Sequence, residues 1–439
     1  MNTQNGTQIN ATKASASQTA KRSNIENMYP LSPMQEGLLF HSLLSPTSGT
    51  YVPQIVLSFS SEPERPINGQ LLKQAWEEAV AQHSILRTGF YWEQRDNPFQ
   101  VVYRSGLSSP ADKIWIEQDW QHLSATEQAA KLQVFLACNR SEPFNLNQPP
   151  LIRLTLINRG CDRQTASPQN RYYLIWCYHH LILDGWSASQ LLKEVFQQYF
   201  VSSDNLSGDP SLAPRSAPRA YGEYIAWLNK QDITTAQSFW KDYLDGWAGP
   251  TSLPIVKLQT PQTAKPAPPQ RVEQQRPLSA KATQRIKTFA QTHKITLNTF
   301  IQAALGLVLS RYCDTRDVVF GATCAGRPTA LAGALSMVGL FINTLPVRVR
   351  LDNDVTVVDW LQGLSAQQAA TTDYEYISLR ELQQWVNKGK SLFDCLLVFE
   401  SYPISAESFN AQTDLHLDDI QFNEWTHFPL TILVSGENQ

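Results

Sequence analysis

Two adjacent histidines, His179 and His180, followed closely by Asp184 and Gly185, are the residues of this sequence best suited to chemistry. An unperturbed imidazole titrates near ~6.5, so at neutral pH such a ring can exchange a proton with a reacting group. Gly185 has access to backbone conformations closed to other residues, and its N–H can approach a reacting carbonyl closely. A metal centre is disfavoured, because zinc wants three or four convergent ligands and neighbouring strand residues diverge.

The elements around these residues follow from pattern. Tyr172 to Tyr178 reads as a strand, which puts His179 on the face of Ile175 and Cys177, and His180 on the face of Trp176 and Tyr178. One imidazole is thereby expected to pack into its lobe while the other faces a cleft. The turn runs from Leu181 to Trp186. Ser187 and Gln190 have capping-box spacing ahead of the helical stripe Leu191, Leu192, Val195, Phe196 and Tyr199. Upstream, Pro33 to Leu44 and Leu71 to His83 read as amphipathic helices, with strands over Ile85 to Tyr91 and Leu151 to Ile157, the latter carrying Arg153 among apolar neighbours. Downstream, Leu278 to His293 and Leu297 to Tyr312 read as helices and Asp317 to Thr323 as a strand, ending in a turn that holds Arg327. Helices mixed with strands in both halves make the class α/β or α+β.

With 439 residues, 42% of them hydrophobic, the chain exceeds what one compact core usually supports, and two lobes are expected. The expected division is a disordered tail over residues 1–24, an N-terminal lobe over 25–210 and a C-terminal lobe over 211–439, with a proline-rich inter-lobe segment at about 249–277. The formal charge of −3 gives no broad positive field to draw the protein onto nucleic acid or an anionic membrane. Cys138, Cys161, Cys177, Cys313, Cys324 and Cys395 stand at no metal or redox spacing and read as reduced thiols. With no membrane-length apolar run and no signal-like N-terminus, a cytoplasmic location is expected.

His179-His180-Leu181-Ile182-Leu183-Asp184-Gly185 resembles the HHxxxDG pattern of nonribosomal peptide synthetase condensation domains, in the chloramphenicol acetyltransferase-like superfamily. Tyr29 to His41 resembles that family's opening motif, His83 to Thr88 its second, and Val338 to Thr344 its later, second-lobe motif. Leu392 to Glu400 and Phe428 to Thr431 resemble segments near its end. The resemblance covers nearly everything after Ile25. Members usually continue past the last segment with a further strand and helix, so the C-terminal end reads as truncated, with apolar surface exposed as a result.

The resemblance implies two chloramphenicol acetyltransferase-like lobes arranged in a V around a central tunnel. Two phosphopantetheine arms of partner carrier domains would enter it, one bearing an acyl or peptidyl thioester and the other an aminoacyl acceptor. Donor and acceptor peptidyl carrier domains and a neighbouring adenylation domain are the implied partners, with no cofactor held by the chain itself. His180 is the implied catalytic residue, supported by His179; it either takes the proton of the attacking amine, whose α-amino group titrates near ~7.7 to 8.0, or positions an amine that is already a competent nucleophile. Asp184 is implied to be structural, paired with an arginine for which Arg153 is the candidate. Asn343, Tyr178 and Trp186 are expected beside substrate, and Arg327 is expected to be a solvated turn residue. The alternatives are an epimerisation domain, a free-standing CoA-type acyltransferase and a non-catalytic docking module for carrier or tailoring enzyme. A heterocyclising domain would carry Asp in place of His179. The opening motif is closest to the subtype taking a donor that ends in a D-residue.

Overall fold

The structure is a computed structural model and describes residues 24–94, 97–106, 114–162, 168–203, 218–254, 271–352, 354–400 and 415–435. The tail read over residues 1–24, apart from Asn24, lies outside them, as does 255–270 within the proline-rich segment.

The chain forms two compact units. The first comprises Met1–Lys230, Arg327–Phe341 and Tyr402–Thr426, and the second Gln231–Gly326, Ile342–Ser401 and His427–Gln439. The linear division expected at residue 210 is therefore replaced by one in which the chain returns twice to the first unit. The motif Val338 to Thr344, expected wholly in the second lobe, straddles the two: Val338 to Phe341 belong to the first unit, and Asn343 opens a strand of the second.

In the first unit, β1 (Ile25–Pro30), β4 (Phe99–Tyr103) and β3 (Thr88–Tyr91) form a small antiparallel sheet. The larger sheet has the order β11-β2-β7-β6-β5, built from β2 (Gln54–Ser61), β5 (Trp115–Asp119), β6 (Ile152–Asp162), β7 (Gln169–Tyr178) and β11 (Leu415–Asn423). Its pairings are antiparallel except β5 with β6. β7 lies at the centre with both faces covered, which is why Tyr172 to Tyr178 reads as a nearly continuous apolar run instead of an alternating one. Ile175 and Cys177 pack with Leu132 and Leu136 of the helix Ala125–Ser141. On the opposite face, the Trp176 ring meets Trp76 of the helix Gly69–Gln82 at 4.8 Å between centroids.

Most expected elements are present, although the strands read over Leu151 to Ile157 and Tyr172 to Tyr178 are longer, Ile152–Asp162 and Gln169–Tyr178. Ile85 to Tyr91 differs in kind: Ser84–Arg87 form a 3-10 turn closed by Leu86 N–H to the His83 carbonyl, and only Thr88–Tyr91 are strand. Ile85 and Leu86 are buried there, so their apolarity marks core without marking a strand.

In the second unit, β8 (Asp317–Cys324), β9 (Asn343–Arg350), β10 (Cys395–Glu400) and β12 (Leu430–Ser435) form a sheet of order β12-β10-β8-β9. β10 runs parallel to both neighbours, and β8 and β9 are antiparallel. One apolar cluster sets Val318, Phe320 and Val349 against the helices Leu297–Cys313 and Val357–Thr371, and another packs Val319 and Phe393 against Trp240 and Leu382.

Candidate active site

β7 ends at Tyr178, yet the next two backbone N–H groups still bond alternately to either side, His179 to the Leu151 carbonyl and His180 to the Tyr51 carbonyl, each at 3.0 Å. The extended backbone sends the two rings apart, as the alternation requires. His179 packs edge-on against Phe144. Its Nδ1 accepts the Leu181 N–H at 3.1 Å, so Nε2 carries the hydrogen and donates it to Ser42 Oγ at 3.1 Å. Burial, then the positive charges of His180 and Arg153, push its pKa down to about 3. His179 is thus a neutral, buried support for the loop.

The His180 ring is held differently. Its Nδ1 lies 2.7 Å from the Leu183 carbonyl, which can only accept, and its Nε2 lies 2.9 Å from Glu424 Oε1. A carbonyl and an ionised carboxylate both accept, so this pair of partners favours the doubly protonated ring. Burial alone lowers its pKa, but the Glu424 charge and hydrogen bond, the Leu183 carbonyl and the Asp184 charge outweigh this and raise it above the ordinary value. Glu424 has no local sequence signal of its own: it stands four residues before the Phe428 to Thr431 segment, and only the return of the chain beside β2 brings it to His180.

Asp184 is fully buried and caps the helix Gly185–Ser203, accepting the Ser187 N–H on Oδ1 at 2.7 Å and the Ala188 N–H on its carbonyl at 2.8 Å. Its Oδ2 accepts the Phe341 N–H at 2.9 Å, and its charge is met by Arg327 Nη2 at 3.2 Å. The cap expected at Ser187 therefore sits three residues earlier. The Ser187 hydroxyl instead donates to the Gly339 carbonyl and accepts the Gly339 N–H.

The expected Asp184–Arg153 pair is likewise corrected. Arg153 sits opposite Cys177 in the β6–β7 register, on the face covered by the helix Ala125–Ser141, where it donates to the Asn139 and Glu142 carbonyls and stacks over Phe144. It is structural, with other partners. Arg327, expected in solvent, has a side chain only 3% exposed; it also donates to the Ala334 and Met337 carbonyls and lies 4.1 Å over the Phe341 ring. Gly185 is not among the residues of positive φ; it is the first helical residue, a conformation open to any residue, so the special backbone expected of it is not needed.

The opening motif supports this loop from one side. Ser32 and Gln35 form a reciprocal capping box at the start of the helix Pro33–Leu44, and buried Gln35 donates from Nε2 to the Leu181 carbonyl at 2.9 Å. Two turns on, Ser42 of the same helix meets His179. In the second motif, His83 bonds Glu194 of the helix Gly185–Ser203 at 2.7 Å.

Of the three expected substrate contacts, Tyr178 is buried, its ring set between Trp176 and His180. Trp186 is partly exposed and donates from Nε1 to the Leu335 carbonyl. Asn343 spends its amide inside the second unit, donating to the Glu375 and Ile377 carbonyls at 2.7 and 2.6 Å and accepting the Thr344 N–H, so it has no donor left for an acyl group. Among the described residues, no group of three or more His, Cys, Asp or Glu is arranged to hold a metal ion, and no helix is long and apolar enough to cross a membrane.

Comparison with known proteins places this geometry. A family profile described as Condensation domain matches residues 25–439. One of the linear gramicidin synthase proteins of Brevibacillus parabrevis is 39% identical over 94% of this chain, which spans 8% of that protein. Chondramide synthase of Chondromyces crocatus is 33% identical over 94% of the chain, which spans 11% of it. The chain thus corresponds to a small part of these relatives. Among solved structures, the starter condensation domain of rhizomide synthetase superposes with a TM-score of 0.70 at 19% identity, over 95% of this chain and 87% of that one. The first condensation domain of the CDA synthetase gives 0.65 at 17%, over 86% and 83%. Fold, motif order and family match agree: the chain belongs to the condensation-domain family of nonribosomal peptide synthetases and shares the fold of its solved members.

Proposed function

We propose that this chain joins a carrier-bound acyl or peptidyl thioester to a carrier-bound aminoacyl acceptor. The observation that supports this best is the intact His179 to Gly185 loop, with a buried imidazole paired to a carboxylate at the end of a central strand. The acceptor amine attacks the donor thioester carbonyl, the C–N bond forms, the C–S bond breaks, and one proton passes from the amine nitrogen to the departing sulfur. Because both of its partners favour the protonated ring, His180 in this reading is a positive charge beside the developing oxyanion and not a free base. Asp184 and Arg327 hold the loop that carries it. Holding both reactants together supplies up to ~7 to 11 kcal/mol of the barrier in the best-oriented cases.

The partners in this reading are donor and acceptor carrier domains, whose phosphopantetheine arms bring both substrates, and a neighbouring adenylation domain that loads them. The chain works in the cytoplasm. Gly185 and Trp186, at the mouth of the turn, are the residues of the loop best placed to meet an incoming acyl group. Intact-mass spectrometry of a loaded donor carrier, a loaded acceptor carrier and this protein should show the donor acyl mass moving to the acceptor carrier. Transfer from acyl-CoA to a free amine with no transfer between carriers, or deuterium uptake at the α-carbon of a single aminoacyl carrier in D2O, would overturn the reading in favour of another acyltransferase or an epimerase.

A further inference from the structure

One direct contact and one peptide bridge join the segment after β11 to the histidine loop, and a further clasp ties the segment to the helix Ala125–Ser141. Glu424 Oε1 lies 2.9 Å from His180 Nε2. The Tyr51 peptide bridges the two chain segments, since its carbonyl accepts the His180 N–H at 3.0 Å while its own N–H donates to the Trp425 carbonyl at 3.1 Å. Tyr51 does this with φ at +63°, in the left-handed region that a side chain disfavours, and such strain persists only where surroundings enforce it. The Arg140 guanidinium, from the helix Ala125–Ser141, lies 4.0 Å over the Trp425 ring and bonds Gln54 of β2 through both Nε and Nη2. Eight residues of β11 are registered against β2 just before Glu424, so the strand fixes where this carboxylate arrives.

We infer that Glu424 is a positioning residue for the reaction, and that β11 with the Trp425–Arg140 clasp is the strap that delivers it to His180. The catalytic consequence rests on the function proposed above; the strap and its effect on the ring do not. Among the described residues, charged or titratable groups facing His180 include Glu424, Asp184, His179 and the Tyr178 phenol. Asp184 is already neutralised by Arg327, and His179 is neutral, which leaves Glu424 as the counter-ion of the ring. Its carboxylate is a quarter exposed, so a change at Glu424 need not open the core.

The test is a pH titration of the His180 ring in the whole protein, with histidine labelled in the ring with carbon-13 and the signal assigned by its loss in His180→Gln. Glu424→Gln should move the His180 midpoint to lower pH by about 1 to 3 units, as expected for loss of an adjacent opposite charge. Glu424→Asp should return part of that shift. Trp425→Ala, which removes the ring held by Arg140 and leaves the Glu424 carboxylate in place, should move the midpoint in the same direction by a smaller amount. Thermal unfolding of each variant checks that the fold persists, and the remaining histidine signals serve as the internal reference if one is weakened. An unmoved midpoint in Glu424→Gln overturns the role of Glu424, and an unmoved midpoint in Trp425→Ala overturns the strap. If amide formation is also followed, the basic limb of the rate profile should fall to lower pH in Glu424→Gln in step with the ring. A shifted ring in a protein that forms no amide at all would fault the proposed reaction and leave the pairing intact.

Discussion

Two neighbouring histidines are shifted in opposite directions because the strand end sends them into different surroundings: His179 among apolar groups and positive charge, His180 between a carbonyl and a carboxylate. Their effects on stability run in opposite directions. The folded pKa of His180 is raised, so its pairing stabilises fully below ~6.5 and the contribution fades as pH rises through the folded value. The folded pKa of His179 is about 3, so stability falls as pH drops below ~6.5, by up to ~1.4 kcal/mol per unit, and this loss flattens as the folded value is approached. Urea unfolding of His179→Gln should therefore lose less stability than wild type between neutral and mildly acidic pH. Breaking the buried Asp184–Arg327 pair from one side, as in Arg327→Ala, should cost ~3 to 5 kcal/mol in the same assay. A double-mutant cycle should show coupling between Asp184 and Arg327 and none between Asp184 and Arg153. At this scale the sequence is legible where partners are contiguous: His179, His180 and Asp184 declare themselves. Arg327 and Glu424 do not, because 143 and 244 residues separate them from the groups they meet, and local spacing carries no record of such contacts.

At the scale of elements, the helix Gly185–Ser203 starts where Asp184 caps it, one residue after the loop's last apolar side chain, so the carboxylate that terminates the turn is also the group that anchors the segment Arg327–Phe341. That segment packs closely. A Cβ at Gly339 would collide with the Tyr221 ring, and the Tyr221 hydroxyl is already committed to the Leu340 carbonyl. Gly339→Ala should therefore destabilise by ~1 to 3 kcal/mol, measured by chemical denaturation, with the loss of activity tracking the loss of folded protein. Helices and central strands are readable from apolar periodicity because tertiary packing reinforces the same stripes. Ile85–Leu86 reads as strand although it is not one, because a buried 3-10 turn and a buried strand both demand apolar residues. Ser187 reads as a cap because its spacing to Gln190 is right, whereas Asp184 has the stronger claim through its own buried partners.

At the scale of the whole molecule, the first unit is completed by two segments from far along the chain, and composition alone cannot reveal that they return. A fragment ending at Lys230 would lack Arg327, the Gly339 segment and β11, exposing the edge of β2 and leaving Asp184 unpaired. Such a fragment should show no cooperative thermal transition by circular dichroism, whereas the complete chain should. The two-unit α/β architecture and its family are legible because the matching motifs recur in order; the boundary is not, because it is not linear. The most direct test of the proposed reaction compares wild type with His180→Ala under single turnover, with both carriers loaded and the acceptor carrier followed by intact mass. Wild type is expected to transfer the donor acyl mass, and a His180→Ala protein of unchanged unfolding behaviour to do so at least ~100-fold more slowly, as for loss of an oxyanion stabiliser. A folded His180→Ala protein that transfers at the wild-type rate would contradict the assignment of His180 to the reaction.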